Sequence, residues 1–473
     1  MFQRTFGFSG SWLALALVAG LVLAGVSQGA VKPANVFSDG MVLQRGKTVP
    51  IWGQAEPGTE VQVSFAGQRH TTEASAQGRW RVHFDPLKAS DEPRAVTIKA
   101  NGRTQQIKNV LVGEVWLCSG QSNMAWQVKG IKQSQQAIAR EDRPALRVLT
   151  VKGHASANPV EEVKGQWKPT TPETVGNFSA AAFFFGRRLQ RTLDVPVGLI
   201  VSAWGGTPIR AWTGYDAQMQ VRAIKQAVNG KPSDGKPYKP ASLYNGMIHP
   251  LRGYGLAGFT WYQGERNSKS VASGQLYERQ LEVMIHAWRQ RWGGQRLPFY
   301  FVQLPNYDTN RPGWVPIRES MLSAHRDTPA TGIAVTLDIG EANNLHPKNK
   351  LDVGHRLAQW ALRQTYGQRL IPSGPLAWDA KQRGSAAVVH FEHGQGLELE
   401  EVPENANAKL FAVAGSEGQF HPATARVEGD TLVLEAKAVD KPVAARHAWQ
   451  PNAHAVLYNQ AGLPASPFKL KIK

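Results

Sequence analysis

Short apolar runs alternate with longer helical stretches between residues 110 and 367, and this alternation constrains the fold more than any other feature. The apolar runs at 195–201, 299–304 and 332–337 predict buried strands. The stretches 180–193, 276–292 and 351–366 predict helices. Such an alternation is typical of an α/β fold, in which helices cover both faces of a parallel sheet. Reactive side chains in these folds gather at the carboxyl ends of the strands.

Shorter strand patterns flank this region on both sides. Residues 31–109 show brief apolar alternations that are separated by turn pairs such as Pro57-Gly58 and Gln77-Gly78. Similar short strands, broken by glycines, follow Pro372. We therefore predict an N-terminal β-sandwich-like domain over 31–109, a central α/β domain over 110–371 and a C-terminal all-β domain over 372–473.

The first thirty residues predict a secretory signal peptide. Arg4 precedes an apolar stretch over 12–26, and small residues follow it up to Ala30. This apolar core has about fifteen residues, fewer than the roughly twenty that span a bilayer. We therefore expect export to the periplasm or the cell exterior, without stable membrane insertion. The lone cysteine, Cys118, cannot form an intramolecular disulfide and is expected to be a small buried side chain.

The chain is strongly basic, with a formal net charge of +18. Such a charge is compatible with nucleic acids, anionic surfaces or acidic substrates. The sequence contains no compact Lys/Arg block and no recognisable nucleic-acid module. We therefore expect no nucleic-acid partner, and a diffuse basic surface suited to anionic glycans or to envelope surfaces.

A serine lies directly after the end of one predicted buried strand. Gly120-Gln121-Ser122 follows the apolar run 115–118, so the chain must turn at this serine. A serine hydroxyl becomes a useful nucleophile when it is exposed beside a base and oxyanion donors. Ser122 is the candidate nucleophile, although a serine beside glycine is also common in ordinary turns.

Two further strand ends carry groups that suit such a serine. Gly205 and Gly206 follow the strand that ends at Val201, and their backbone N–H groups are candidate oxyanion donors, unless the pair forms a plain tight turn. His346, followed by Pro347, lies past the strand that ends near residue 337. This histidine is the candidate general base for Ser122.

A fourth strand end carries a polar cluster. Gln263, Glu265 and Arg266 follow the run 259–262, and polar groups there need solvent or mutual pairing, so they form either a structural network or a site. Aromatic side chains near these turns serve either cores or sugar stacking. They are Trp126, Trp204, Trp212, Trp261 and Tyr262. Arg210 and Arg266 are candidates to contact sugar hydroxyls or a carboxylate.

Several segments together resemble one family, the sialate O-acetylesterases of the SGNH-type hydrolases. The segments that carry the resemblance are 117–124 (LCSGQSNM), 204–209 (WGGTPI), 261–265 (WYQGE) and 345–347 (LHP). Others that fit the same pattern are 37–44 (FSDGMVLQ), 244–248 (YNGMI) and 459–468 (NQAGLPASPF). The resemblance covers nearly the whole chain after the leader.

The resemblance implies a flavodoxin-like, three-layer SGNH domain and a serine esterase that removes O-acetyl groups from saccharides through an acetyl-enzyme. It implies no metal and no organic cofactor. Gln263 matches the oxyanion amide of SGNH enzymes, and Trp261 and Glu265 join Arg210 and Arg266 as expected substrate contacts. The partner is then an acetylated mono-, oligo- or polysaccharide, whose identity and the oligomeric state both stay open.

The sequence departs from the family pattern at one position. Many SGNH hydrolases have an Asp three residues before the histidine, whereas this chain has Asn343. Asp338 or Glu341 is the favoured third member, Glu265 is a spatial alternative, and a Ser–His dyad oriented by a backbone carbonyl is also open. The missing acid also motivates a second hypothesis, a secreted glycan-binding protein that keeps the esterase fold without turnover.

Overall fold

The computed structural model describes residue 1 and residues 31–131, 134–294, 296–401 and 410–473. Apart from Met1, the predicted leader therefore lies outside the described residues. Within the described ranges, no helix combines the length and the apolar character needed to cross a membrane.

The described residues form 24 strands and nine α-helices. The first strands are β1 (Lys32–Pro33), β2 (Val42–Gln44), β3 (Val49–Gln54), β4 (Glu60–Phe65), β5 (Gln68–Glu73), β6 (Arg79–Phe84) and β7 (Ser90–Ala100). The next are β8 (Arg103–Gly120), β9 (Arg143–Thr150), β10 (Trp167–Thr170), β11 (Val197–Ala203), β12 (Gly258–Tyr262), β13 (Phe299–Val302) and β14 (Thr331–Ala334). The last are β15 (Leu376–Arg383), β16 (Ala386–Glu392), β17 (Glu398–Leu399), β18 (Phe411–Ala414), β19 (Phe420–Pro422), β20 (Thr424–Glu428), β21 (Thr431–Glu435), β22 (Ala444–His447), β23 (Leu457–Tyr458) and β24 (Phe468–Lys471).

The α-helices lie between residues 122 and 360. They are α1 (Ser122–Ala125), α2 (Ser134–Ala139), α3 (Pro172–Val175), α4 (Ala180–Leu193), α5 (Tyr215–Met219), α6 (Arg222–Ala227), α7 (Val271–Arg291), α8 (Trp314–Asp327) and α9 (Lys350–Trp360). Single turns of 3-10 helix lie at Val128–Gly130, Ile209–Ala211, His249–Leu251 and Glu265–Asn267, and π-helical turns at Tyr244–Ile248 and Ala361–Thr365. The predicted helix 180–193 is found with the same bounds, and the other two are found with shifted ends.

Five parallel strands form the centre of the main sheet, in the order β11–β8–β12–β13–β14. Numbered among themselves along the chain, they have the order 2-1-3-4-5. Strand β9 extends the sheet in parallel beyond β11, and β10 pairs antiparallel with β9 at the edge.

Helices cover both faces of this sheet, as the alternation of strands and helices predicts. Phe299 and Tyr300 are neighbours on β13 and so point to opposite faces. Phe299 contacts Trp288 of α7, whereas Tyr300 stacks on Trp360 of α9. The central region is therefore an α/β structure, with strand-rich regions before and after it. The single cysteine, Cys118 on β8, is fully buried as expected.

The long strand β8 belongs to both the N-terminal and the central region. Its first part pairs with β7 and β2, and its last part pairs with β11 and β12. The domain boundary predicted at 109/110 thus falls inside one continuous strand. The chain reaches the turn before Ser122 without a linker between the two regions.

Candidate active site

Three strands of the central sheet end in register at one edge. Gly120, the last residue of β8, lies opposite Ala203 of β11 and Tyr262 of β12. Gly120 has φ +146°, and a Cβ there would lie 2.2 Å from the Tyr262 carbonyl oxygen. Only glycine fits such a close approach, so the strand end turns sharply and presents Ser122 at the start of α1.

Ser122 and His346 come together at this edge, although 224 positions separate them. Ser122 Oγ lies 2.9 Å from His346 Nε2, and both residues are partly exposed. With Nε2 as the acceptor, the serine hydroxyl donates this hydrogen bond. Trp126, in the same turn as Ser122, stacks on the imidazole ring with centroids 4.9 Å apart. The pair thus has the geometry of a nucleophile beside its base.

The surroundings of His346 favour its neutral form. Partial burial and the positive charge of Lys350 both lower the pKa of this histidine below its ordinary value. A neutral imidazole can accept the proton of Ser122, whereas an imidazolium cannot.

One of the two glycines after β11 lies next to Ser122. A Cβ at Gly205 would lie 3.4 Å from the Ser122 Cβ, whereas a Cβ at Gly206, with φ +72°, would meet nothing within 4 Å. In the described residues, the N–H groups of Ser122, Gly205 and Gly206 have no hydrogen-bond acceptor. Gly205 therefore lies beside the serine, and its N–H and that of Ser122 are free to donate to an oxyanion.

The predicted role of the Gln263 amide as an oxyanion donor needs correction. Its side chain is fully buried, and its Nε2 donates to Gln121 Oε1, the Thr207 carbonyl and Asn267 Oδ1 at 2.9–3.1 Å. Its Oε1 accepts from the Tyr277 hydroxyl at 2.9 Å. Gln263 thus holds the turns around the serine together and has no free N–H for a substrate.

The prediction that Asp338 or Glu341 is the acid of the triad also needs correction, since neither residue contacts His346. Asp338 forms two hydrogen bonds of 2.6 Å with Arg356 of α9. Glu341 accepts from Asn344 Nδ2 at 3.0 Å and from the Lys348 backbone N–H at 2.6 Å. Across the described ranges, no carboxylate forms a hydrogen bond with the imidazole.

A buried polar network lies behind the serine instead. Asn123 Nδ2 donates to Glu265 Oε1 and, at 3.1 Å, to the Leu345 carbonyl. Asn123 Oδ1 accepts from Lys350 Nζ at 2.6 Å. Burial raises the pKa of Glu265 and lowers that of Lys350 to about 7, although each charge partly offsets the effect on the other. Glu265 Oε2 has no described partner.

Of the four expected substrate contacts, only the two arginines are accessible. Trp261 is fully buried against Trp212 and Trp288, and Glu265 is 1% exposed, so neither reaches a substrate in this structure. The predictions for Trp261 and Glu265 are both corrected for the same reason, since turns and helices pack over the end of β12. Arg266 is exposed, and its backbone N–H contacts Gln121 Oε1 at 3.4 Å. Arg210 is partly exposed, and burial and the charge of Arg266 lower its pKa.

Sequence reasoning missed two residues of this site, Asn123 and Lys350, and left Trp126 between core packing and sugar stacking without a contact to His346. Asn123 directly follows the candidate nucleophile, and Lys350 stands four residues after His346. Their positions beside the two reactive residues were the available signal. The full burial of an asparagine and a lysine is visible only in the fold.

Within the described ranges, one group of acidic side chains outside this site is close enough to share an ion. Its members are Glu278, Glu282 and Asp327, which lie on α7 and α8. None of them contacts Ser122 or His346.

This chain is similar to known proteins over nearly its whole length. Residues 112–363 match the model of a family described as carbohydrate esterase, sialic acid-specific acetylesterase. The chain is 30% identical to the sialate O-acetylesterase of Pongo abelii over 92% of this chain and 91% of that protein. It is 28% identical to that of Mus musculus over 96% and 97%, respectively.

A solved structure is similar over almost the same extent. The crystal structure of a carbohydrate acetylesterase from Xanthomonas citri superposes with a TM-score of 0.85 and 36% sequence identity. The superposition covers 93% of this chain and 99% of that chain. The similarity thus includes the strand-rich regions on both sides of the central sheet.

Proposed function

The chain belongs to the sialic acid-specific acetylesterase family of carbohydrate esterases, and on that premise we propose that it removes O-acetyl groups from saccharides with Ser122 as nucleophile and His346 as general base. The observation that carries the proposal is the 2.9 Å contact between Ser122 Oγ and His346 Nε2 at the carboxyl edge of the sheet.

In the first half of the reaction, His346 Nε2 takes the hydroxyl proton while Ser122 Oγ bonds to the acetyl carbonyl carbon. The negative charge that develops on the carbonyl oxygen is stabilised by the N–H groups of Ser122 and Gly205. The bond between the carbonyl carbon and the sugar oxygen then breaks. His346 returns its proton to that oxygen. The sugar leaves with a free hydroxyl, and Ser122 remains acetylated.

In the second half, water replaces the sugar. His346 takes a proton from the water, whose oxygen attacks the acetyl carbon of the acyl-enzyme. The bond to Ser122 Oγ then breaks, and the proton passes to that oxygen. Acetic acid leaves and loses its proton to the solvent to become acetate, and the free serine is restored without any change in oxidation state.

Accessible side chains at the rim of the site support a saccharide substrate. Trp204 and Trp126 are partly exposed near the serine, and such rings can stack on sugar faces. Arg210 and Arg266 add positive charge at the same rim, which suits a sugar that carries a carboxylate. These four residues form the proposed substrate-binding surface.

The proposed architecture is a flavodoxin-like SGNH domain between two β domains, with the boundaries 31–109, 110–371 and 372–473. The strand order 2-1-3-4-5 supports it, because this order is that of flavodoxin-like sheets. In such sheets ligands bind at the carboxyl ends of the strands, at the point where the strand order reverses. Here that point lies between β8 and β12. Ser122 follows β8 and so lies at this position. We also propose export through the leader over residues 1–30, toward the periplasm or the cell exterior.

An acetate-release screen tests the proposed activity. Purified protein is incubated with acetylated sialate, xylan, xyloglucan and pectin fragments, and free acetate is quantified. We expect release from at least one class, while the Ser122→Ala variant releases acetate about 10⁴-fold more slowly or slower still. Saccharide binding without acetate release would instead support the non-catalytic glycan-binding protein.

The pH profile gives a second test. Because burial and Lys350 lower the pKa of His346, the histidine stays neutral below its usual titration range near 6.5. The value of kcat/KM should therefore stay constant as the pH falls through about 6.5. It should decline only at a pH below that value. An acid limb centred at or above 6.5 would contradict the lowered pKa of His346.

A further inference from the structure

The orientation of His346 lacks its usual support. In a Ser–His–acid arrangement, a carboxylate on Nδ1 orients the imidazole. Here no described residue forms a hydrogen bond with Nδ1. Trp126 stacks on the ring and Ser122 contacts Nε2, but neither fixes the backbone from which the ring projects. The position of that backbone must depend on other contacts.

One side-chain amide provides such a contact. Asn123 Nδ2 donates to the carbonyl of Leu345, the residue directly before His346, at 3.1 Å. The same amide belongs to the residue directly after Ser122. A single side chain thus connects the turn that carries the nucleophile to the loop that carries the base.

Two buried charges fix the orientation of this amide. Below a pH of about 7 Lys350 is an ammonium, which only donates, and an ionised Glu265 only accepts, so Asn123 Oδ1 faces Lys350 and its Nδ2 faces Glu265. A flipped amide would place a donor against the Lys350 ammonium and an acceptor against the carboxylate. The N–H that reaches Leu345 is therefore held in one direction.

The network is closed to solvent. Asn123 and Lys350 are 0% exposed and Glu265 is 1% exposed. The Lys350 ammonium also lies 5.2 Å from the centroid of the Tyr262 ring. Hydrogen bonds in such a low-dielectric interior are strong, and losing one would leave another buried polar atom unpaired, so the three contacts of the Asn123 side chain resist distortion.

We propose that Asn123 is a positioning residue of this active site: its amide, anchored by Lys350 and Glu265, holds the Leu345 carbonyl and thereby sets the distance between His346 and Ser122. The inference rests on the proposed Ser122–His346 mechanism. It assigns to a neutral amide behind the nucleophile the orienting task that a carboxylate performs on the histidine in a triad.

Steady-state kinetics of Asn123→Ala test the proposal. We expect kcat to fall by about 10²-fold, the effect of misplacing reacting groups by about 1 Å, while KM changes by less than about threefold. Asn459→Ala is the matched control. Asn459 is also buried, and its Nδ2 donates to two backbone carbonyls, those of Ser373 and His393, each at 2.8 Å.

The control separates positioning from general stability. Both asparagine variants should lower the thermal unfolding midpoint, but Asn459→Ala should keep kcat within about threefold of wild type. Asn123→Asp serves as the second variant in case the alanine protein does not fold. It retains the side-chain volume and an oxygen for Lys350, but loses the N–H groups toward Leu345 and Glu265, so the same loss of kcat is expected.

The possible results are distinguishable. If the folded Asn123 variants keep wild-type kcat while Ser122→Ala is inactive, the positioning role is wrong and the proposed mechanism stands. If Ser122→Ala keeps wild-type activity, the mechanism itself fails. A large rise in KM at constant kcat would also overturn the inference, because Asn123 would then contribute to binding of the sugar.

Discussion

Replacing Ser122 with alanine is expected to lower kcat for acetate release by about 10⁴-fold or more. The variant keeps the N–H groups of Ser122 and Gly205 but loses the atom that bonds to the acetyl carbon. Rates of acetate release and saccharide affinity should be measured on the same substrate. Affinity should change little, because the proposed sugar contacts lie at the tryptophans and arginines of the rim.

Ser64→Ala is a suitable control for this substitution. Ser64 is partly exposed on β4, and no hydrogen bond of its side chain is found in the described residues. This variant should keep the wild-type rate. More than a tenth of wild-type activity in Ser122→Ala would show that another group attacks the ester, and would end the proposed mechanism.

Replacing His346 with alanine is expected to lower kcat by a similar factor, about 10⁴-fold. Without the imidazole, Ser122 keeps its proton, and the leaving sugar oxygen has no acid to protonate it. Besides kcat, covalent labelling of Ser122 by a fluorophosphonate should be followed by mass spectrometry. Labelling should slow strongly, since it also requires an activated hydroxyl.

The exposed His286 on α7 provides the control for this substitution. His286→Ala should be labelled and should turn over at wild-type rates. If His346→Ala is labelled as fast as wild type, another base must activate the serine, and the contact of 2.9 Å would have no part in the reaction.

Strand ends could be predicted from the sequence, whereas side-chain directions at those ends could not. Ser122, Gly205 and His346 meet because each follows a strand of the same parallel sheet, and the carboxyl ends of such strands share one edge. Gln263 follows a strand of the same sheet and also lies at that edge. Its amide is nevertheless occupied by three acceptors, of which Gln121 and Thr207 lie in other turns. Which acceptors surround a side chain depends on how those turns pack.

The third member of the triad shows the same limit. Asp338 and Glu341 are close to His346 along the chain, and that proximity favoured them. The fold turns Asp338 toward Arg356 on α9, and Glu341 toward the loop over residues 344–348. Asn343 predicts a departure from the usual acid, and in the described residues no carboxylate forms a hydrogen bond with the imidazole of His346. The buried asparagine that replaces its orienting contact follows the serine instead, where no spacing rule would place an acid.

The continuous strand β8 makes the esterase an indivisible unit rather than an assembly of exchangeable modules. Its eighteen residues span about 60 Å when extended, and one backbone links pairing partners in the N-terminal region to the nucleophile turn. Without a hinge between the two regions, neither can swing independently as a lid over the substrate. Excising residues 31–109 would expose the unpaired edges of the same strand that presents Ser122, so the N-terminal region is a structural support for the catalytic edge.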